Sequence, residues 1–207
     1  MLGEGRRWWI TANSDSHVHW REGGSDFWPG EYSKTYVFAQ KNHDNIIDGI
    51  RNGRVFVVLG DLISELYVRV EGGHHTADIG GAIHIAKGED VAVTIRFKDP
   101  DTLNSWKQNP EVTRVDLIMG EVSGPVANRN SDNNATTEVI ARFTESDWTV
   151  NGAYREITYT ISELGKQHYI RIRGTNSDEL EPQEDERGES PWDELWFYSN
   201  PIFIDVE

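Results

Sequence analysis

Val91-Ala92-Val93-Thr94-Ile95-Arg96-Phe97 places its larger apolar residues at every second position. In an extended chain Val91, Val93, Ile95 and Phe97 fall on one side, and Ala92, Thr94 and Arg96 on the other. That period belongs to a strand with one face on a core and one toward water. The pattern repeats outward in both directions. Leu66-Tyr67-Val68-Arg69-Val70 precedes it, and Val112 to Met119, Glu138 to Phe143, Tyr154 to Ile161, His168 to Arg173 and Pro201 to Val206 follow. Gly, Asn, Asp and Pro clusters separate these segments. The chain is therefore predicted to be mainly β, an antiparallel β-sandwich of about seven strands.

Before residue 61 the pattern changes to a small α/β segment. Thr35-Tyr36-Val37-Phe38-Ala39 reads as a strand. Asn42 suits the cap of a short helix in which Ile46, Ile47 and Ile50 make one apolar face. Gly53 suits the position just past that helix, where positive φ is common. Arg54-Val55-Phe56-Val57-Val58-Leu59 reads as a buried strand ended by Gly60-Asp61. Strand, helix and strand within about thirty residues form a βαβ-like unit. The expected division is residues 1–60 as the α/β segment and 61–207 as the sandwich. Ser123 to Thr137, rich in Asn, and Ser177 to Pro191, mostly acidic, are loops by composition. No internal repeat is visible.

Composition excludes some functions. The net charge of −15 argues against binding a nucleic-acid backbone, which needs clustered Lys and Arg. The acidic balance fits either a salt-adapted source or an ordinary acidic surface. No apolar run approaches the roughly 18–20 residues of a membrane span. The first ten residues lack the apolar core of a secretory signal. There is no cysteine, so any metal must be held by His, Asp and Glu, and the compartment stays open.

Those residue types occur together in Thr11-Ala12-Asn13-Ser14-Asp15-Ser16-His17-Val18-His19. In an extended segment Asp15, His17 and His19 project to one side. A carboxylate and imidazoles at that spacing can meet one metal ion, or two neighbouring ones. A metal site needs about three or four protein ligands, and little chain precedes this motif to supply the others. The segment thus reads as the back end of a metallohydrolase. The bland alternative is a capping Asp and a surface His in an ordinary loop, with His19 a surface neighbour of Trp20.

Asn13-Ser14-Asp15-Ser16-His17 resembles the last metal-ligand motif of the PHP (polymerase and histidinol phosphatase) superfamily. Gly49-Ile50-Arg51-Asn52-Gly53-Arg54-Val55-Phe56-Val57 resembles the helix-to-strand join that follows it there. Arg114 to Ile118, Tyr169 to Gly174 and Phe197 to Ile202 resemble the sandwich appended to many bacterial members. The resemblance implies a distorted β/α barrel whose last βα units are residues 1–60. It also implies a cluster of divalent metals (zinc, manganese or iron) that activates water to hydrolyse phosphate esters or related esters. Asp15 and His17 match the final two ligands. The earlier His-x-His motif, bridging Glu and intermediate histidines have no counterpart here. The implied partner is therefore a missing N-terminal barrel portion or a second chain, and the isolated chain is expected to be inactive and, with two ligands, to bind a metal only weakly. Unpaired barrel strands would favour self-association into a homo-oligomer. The competing reading, from a different class, is a noncatalytic β-sandwich module that binds carbohydrate or protein.

Other groups carry weaker signals. His74, His75, Asp78 and His84 have metal-ligand chemistry but lie among turn glycines, as a surface loop does. The acidic run of Ser177 to Ser190 offers oxygen ligands for calcium, yet its spacing fits no EF-hand and it reads as a solvated charge run. Trp192, Trp196, Phe197 and Tyr198 suit either a sugar-stacking platform or the edge of the core. Trp28-Pro29-Gly30 would shape a pocket over the metals, or pack with Phe27 onto the sheet. No nucleophile elbow or phosphate-cradling glycine loop is present.

Overall fold

The computed structural model describes residues 1–14, 16, 27–128, 130, 133–183 and 189–207. The chain runs through β1 (Ser33–Val37), α1 (His43–Arg51), β2 (Val55–Leu59), β3 (Glu65–Gly72), β4 (His75–Asp78), β5 (Ala82–Ile85) and β6 (Glu89–Lys98). It continues through β7 (Arg114–Glu121), β8 (Glu138–Phe143), β9 (Thr149–Asn151), β10 (Tyr154–Leu164), β11 (His168–Thr175), β12 (Trp196–Ser199) and β13 (Ile202–Val206). The sequence alternation becomes real inner and outer faces. On β6, Val91, Val93, Ile95 and Phe97 are buried while Thr94 and Arg96 are partly exposed; β3 buries Leu66, Val68 and Val70 and exposes Tyr67 and Arg69.

Two sheets result. One has five strands in the order β4-β3-β6-β10-β9, all antiparallel, with Val68 opposite Ile95 and Ile95 opposite Ile157. The other has eight strands: β1-β2-β12-β11-β13-β5, with β7 on the second edge of β11 and β8 beyond it. Only β5 against β13 is parallel there. Inner side chains of both sheets share one core, in which Phe97 of the first faces Phe197 of the second at 6.2 Å between ring centroids. Burying each such side chain is worth roughly 1.5–3 kcal/mol. The mainly β, antiparallel sandwich expected from the sequence is the fold observed. β4, β5, β9 and β12 are strands of three or four residues that periodicity does not reveal.

The βαβ expectation is corrected. β1 and β2 are antiparallel neighbours with Val37 opposite Val55, and the ladder continues outward through Phe38 N–H to Arg54 O at 2.9 Å. The unit is a hairpin with a helix at its tip. A crossover would have to carry the chain back along the sheet to start a parallel strand. Here α1 has nine residues, and Arg54 N–H returns to Gly49 O at 2.9 Å, closing the chain on itself. β2 in turn pairs with β12, Val58 opposite Phe197, so residues 1–60 and the later strands share one sheet.

α1 begins as predicted. Asn42 caps it by accepting from Asn45 N–H at 2.9 Å, and Gly53 follows it at φ 68°. Its isoleucines form one face, but that face is not the one packed on the sheet. The buried residue is Gly49, which lies under Val37 where a Cβ would stand 2.7 Å from Val37 Cγ1. Ile46, Ile47 and Ile50 are 36–38% exposed. Among the described residues no helix is long and apolar enough to cross a membrane.

Candidate functional site

The approach to the metal-ligand motif is built from side chains rather than from a ladder. β12 and β13 share one edge of β11 but are split at Asn200-Pro201. At this break Ser199 Oγ accepts from Ile172 N–H at 2.9 Å. Asn200, fully buried, turns its amide to the N-terminal segment. Its Oδ1 accepts from Ile10 N–H at 2.8 Å, and its Nδ2 donates to Ile10 O at 3.4 Å. One side chain thus serves Ile10 as a neighbouring strand would. Further along, Thr35 Oγ1 accepts from Ala12 N–H and donates to Ala12 O, both at 2.8 Å, and Ser33 Oγ donates to Asn13 O at 2.7 Å. Trp9 anchors the other end. Its ring fills the space a Cβ would take at Gly53, and its Nε1 donates to Arg51 O at 2.9 Å. Five residues, Trp9 to Asn13, are therefore fixed against β1, the end of α1 and the β12–β13 corner.

Asp15, His17 and His19 lie outside the described residues. The chain is described again from Phe27, and Phe27 is also anchored beside β1. Its ring stacks on Tyr32 at 4.6 Å and meets the edge of Trp192 at 5.8 Å. Tyr32 O–H donates to Pro191 O at 2.6 Å, and Trp106 stacks on Trp192 at 5.8 Å. Asn13 is bonded to Ser33 and Phe27 is stacked on Tyr32, the residue before it. Both ends of the motif-bearing stretch are thus held at the start of β1. Trp192 is buried, and among the described residues its Nε1 has no hydrogen-bond partner. Phe27 is buried as a packing residue, whereas Trp28 is 55% exposed.

The other predicted groups resolve differently. His74 and His75 are exposed around the β3–β4 turn, Asp78 is bonded by Arg69 at 2.9 and 3.2 Å, and exposed His84 stands 3.7 Å from Asp205. They are not brought together. Among the described residues no group of three or more His, Asp or Glu is arranged to hold a metal. Phe197 is buried in the shared core, Trp192 against Phe27, Tyr32 and Trp106, and Trp196 beneath the Arg114 and Arg173 guanidinium groups, which removes all three as a sugar-stacking platform.

The described part of the acidic run is not simply solvated. Arg114 Nη2 donates to Glu179 O, and Arg142 and Arg173 both donate to Leu180 O and to the Glu181 carboxylate. Behind them lies buried Asp116, which accepts from Arg114 at 3.1 Å, Arg142 at 3.0 Å and Arg173 at 2.8 Å. Hydrogen bonding to Arg173 holds the Glu181 carboxyl below its ordinary range. Sequence reading missed this cluster because its arginines come from three strands far apart in the chain.

It also missed a groove of about 490 Å³ where the hairpin tip meets the outer face of the five-stranded sheet. Phe38 and Arg54 form one wall. Tyr67, Arg69, Thr94, Arg96 and Glu156 lie on the sheet. The outward positions of β3 and β6 in the alternation were the available signal. No known family model matches this chain, and no curated protein or solved structure matches it either.

Proposed function

We propose that this chain is the carboxyl-terminal portion of a PHP-type metal-dependent hydrolase acting on phosphate esters or related esters. In this reading Asp15 and His17 are two ligands of a divalent-metal cluster, and the sandwich is an accessory module. An Asp and a His suit zinc, manganese or iron. A bound ion of this kind lowers the pKa of its water toward neutrality and polarises the ester oxygen. The residues of this chain would position the two ligands, and His17 must be neutral to bind, so affinity falls on acidification.

The observation that carries the reading is how the motif is mounted. Ile10, Ala12 and Asn13 are locked by Asn200, Thr35 and Ser33, Trp9 by Arg51 O, and Phe27 by Tyr32 and Trp192. A ligand pair must hold its geometry, and it does so best when its ends are fixed to a rigid scaffold. A second feature supports an incomplete site. The stripe of three isoleucines on α1, Ile46, Ile47 and Ile50, is 36–38% exposed and has no covering element among the described residues. That apolar face suits contact with the polypeptide supplying the remaining ligands.

The test is a titration of the chain with Zn²⁺, followed by the imidazole signals in NMR spectra. His17 is expected to shift in a saturable, weak binding event that Asp15→Ala diminishes. His43 and His84 should be unmoved. If His17 does not respond at millimolar Zn²⁺, or responds no more than His84 does, the reading fails.

A further inference from the structure

The groove between the hairpin tip and the five-stranded sheet has no part in the metal reading. Its floor consists of two cross-strand ranks. Tyr67, Arg96 and Glu156 stand side by side on β3, β6 and β10, and Asp78, Arg69 and Thr94 on β4, β3 and β6. Residues directly opposite on one face are close enough to act on a single small ligand.

The groups in this floor differ in whether they are already committed. Arg69 is taken by Asp78, and Arg54 on the wall by Asp48. Arg96 is not taken. Its guanidinium lies 4.7 Å from the Tyr67 ring centroid and 4.5 Å from that of Tyr154, and among the described residues it has no hydrogen bond or ion pair. The two rings are themselves fixed, because both hydroxyls donate to Glu65 Oε2 at 2.9 Å. Arg96 is thus held in place by aromatic faces while its N–H donors stay available. Beside it the Glu156 carboxylate makes no ion pair with it, although the two are direct cross-strand neighbours. Tyr67 is 39% exposed, and the Phe38 ring packs against it, tilted, with centroids 5.7 Å apart, so the two form one aromatic corner of the groove.

We infer that this groove binds an acidic sugar, a hexuronate unit of an oligosaccharide. Its carboxylate would be bound by the Arg96 fork, a charge-assisted contact. The C–H face of its ring would lie over the outward side of the aromatic corner that Tyr67 and Phe38 form together. Its hydroxyls would donate to Glu156 and accept from Thr94. The combination selects the ligand class. A plain anion, or an aromatic acid, would set a negative group beside Glu156 with nothing to satisfy that carboxylate. A polyhydroxylated acid uses donors and acceptors together. The volume of about 490 Å³ accommodates one or two sugar rings. The inference stands independently of the metal motif, since no groove residue lies near Asp15 in the chain.

The experiment titrates the whole chain with a galacturonic acid trimer, with maltotriose as the neutral counterpart and with inorganic phosphate, following backbone amides by NMR. Saturable shifts centred on Tyr67, Arg96 and Glu156 are expected with the acidic trimer, at least about tenfold tighter than with either control. Arg96→Gln should weaken binding about tenfold or more. Arg96→Lys, which keeps the charge but loses the fork, should weaken it by a smaller factor. Lys166→Gln, far from the groove, should bind as the parent does. A folded parent chain that gives no saturable response to millimolar trimer overturns the inference. So does equal affinity for maltotriose or phosphate, or an Arg96→Gln variant that is folded by its amide spectrum and binds unchanged.

Discussion

Asn200→Ala tests the mounting of the motif most directly. The amide of Asn200 supplies both hydrogen bonds of Ile10, one of good length at 2.8 Å and one long at 3.4 Å. A net intramolecular hydrogen bond is worth about 0.5–1.5 kcal/mol, and a buried group left unsatisfied costs more. Ile10 is 38% exposed, so water can reach its backbone after the truncation, which favours the lower half of that range. Asn200 itself is fully buried, and its loss also leaves a small void. The expected cost is about 1.5–2.5 kcal/mol, equivalent to a Tm lowered by roughly 3–10 °C for a chain of this size. The diagnostic assay is amide hydrogen exchange read residue by residue. Ile10 should lose its protection almost completely, and Ala12, held by Thr35, should lose part of it. Ile172, bonded to Ser199 in the core, should change only by the drop in global stability. Asn200→Asp keeps an acceptor for Ile10 N–H but sets a carboxylate against Ile10 O, and should fall between the two. Unchanged protection at Ile10 in the Ala variant would refute the reasoning. The segment would then be held by something other than the Asn200 amide.

Two further outcomes follow from buried charge. Asp116→Ala removes the carboxylate shared by Arg114, Arg142 and Arg173 and leaves two buried guanidinium groups without it, a loss of about 3–5 kcal/mol in urea unfolding, with faster proteolysis after Ser177. Asp99 behaves in the opposite sense. Burial raises its carboxyl above the ordinary 3.8, against the opposing hydrogen bond from Val112 N–H at 3.3 Å. A carboxyl whose folded pKa is raised contributes nothing while protonated in both states, and costs stability as pH rises through the folded pKa. Asp99→Asn keeps the acceptor for Val112 and should raise Tm at pH 7. The gain should vanish below about pH 3.8, where both forms are neutral, and a gain that persists there contradicts the assignment.

Much of the fold is legible in local chemistry. Alternation in Leu66–Val70 and Val91–Phe97 dictates which side chains are buried, because a strand has only two faces. Asn42 and Gly53 mark the ends of α1, because capping and positive φ are properties of single residues and their neighbours. The candidate ligands Asp15 and His17 are likewise legible as residue types at a spacing, and lie outside the described residues. What the sequence could not show is direction and partnership. Thr35–Ala39 and Arg54–Leu59 look the same whether they are joined by a hairpin or a crossover, since both readings bury the same side chains. Only the pairing of Val37 with Val55 decides it. The same holds for the isoleucines of α1, a stripe by periodicity whose exposure depends on Gly49 taking the contact with Val37.

By itself, then, the sequence determined the mainly β character, the caps of the helix and the residue types able to bind a metal. Each of these follows from interactions within a few residues. The tertiary structure alone decided that Asn200 holds Ile10, 190 positions away, that Asp116 gathers arginines from separate strands, and that Tyr67, Arg96 and Glu156 form one rank. The physical reason is that strand register, a long-range choice made by the whole core, sets which distant side chains meet.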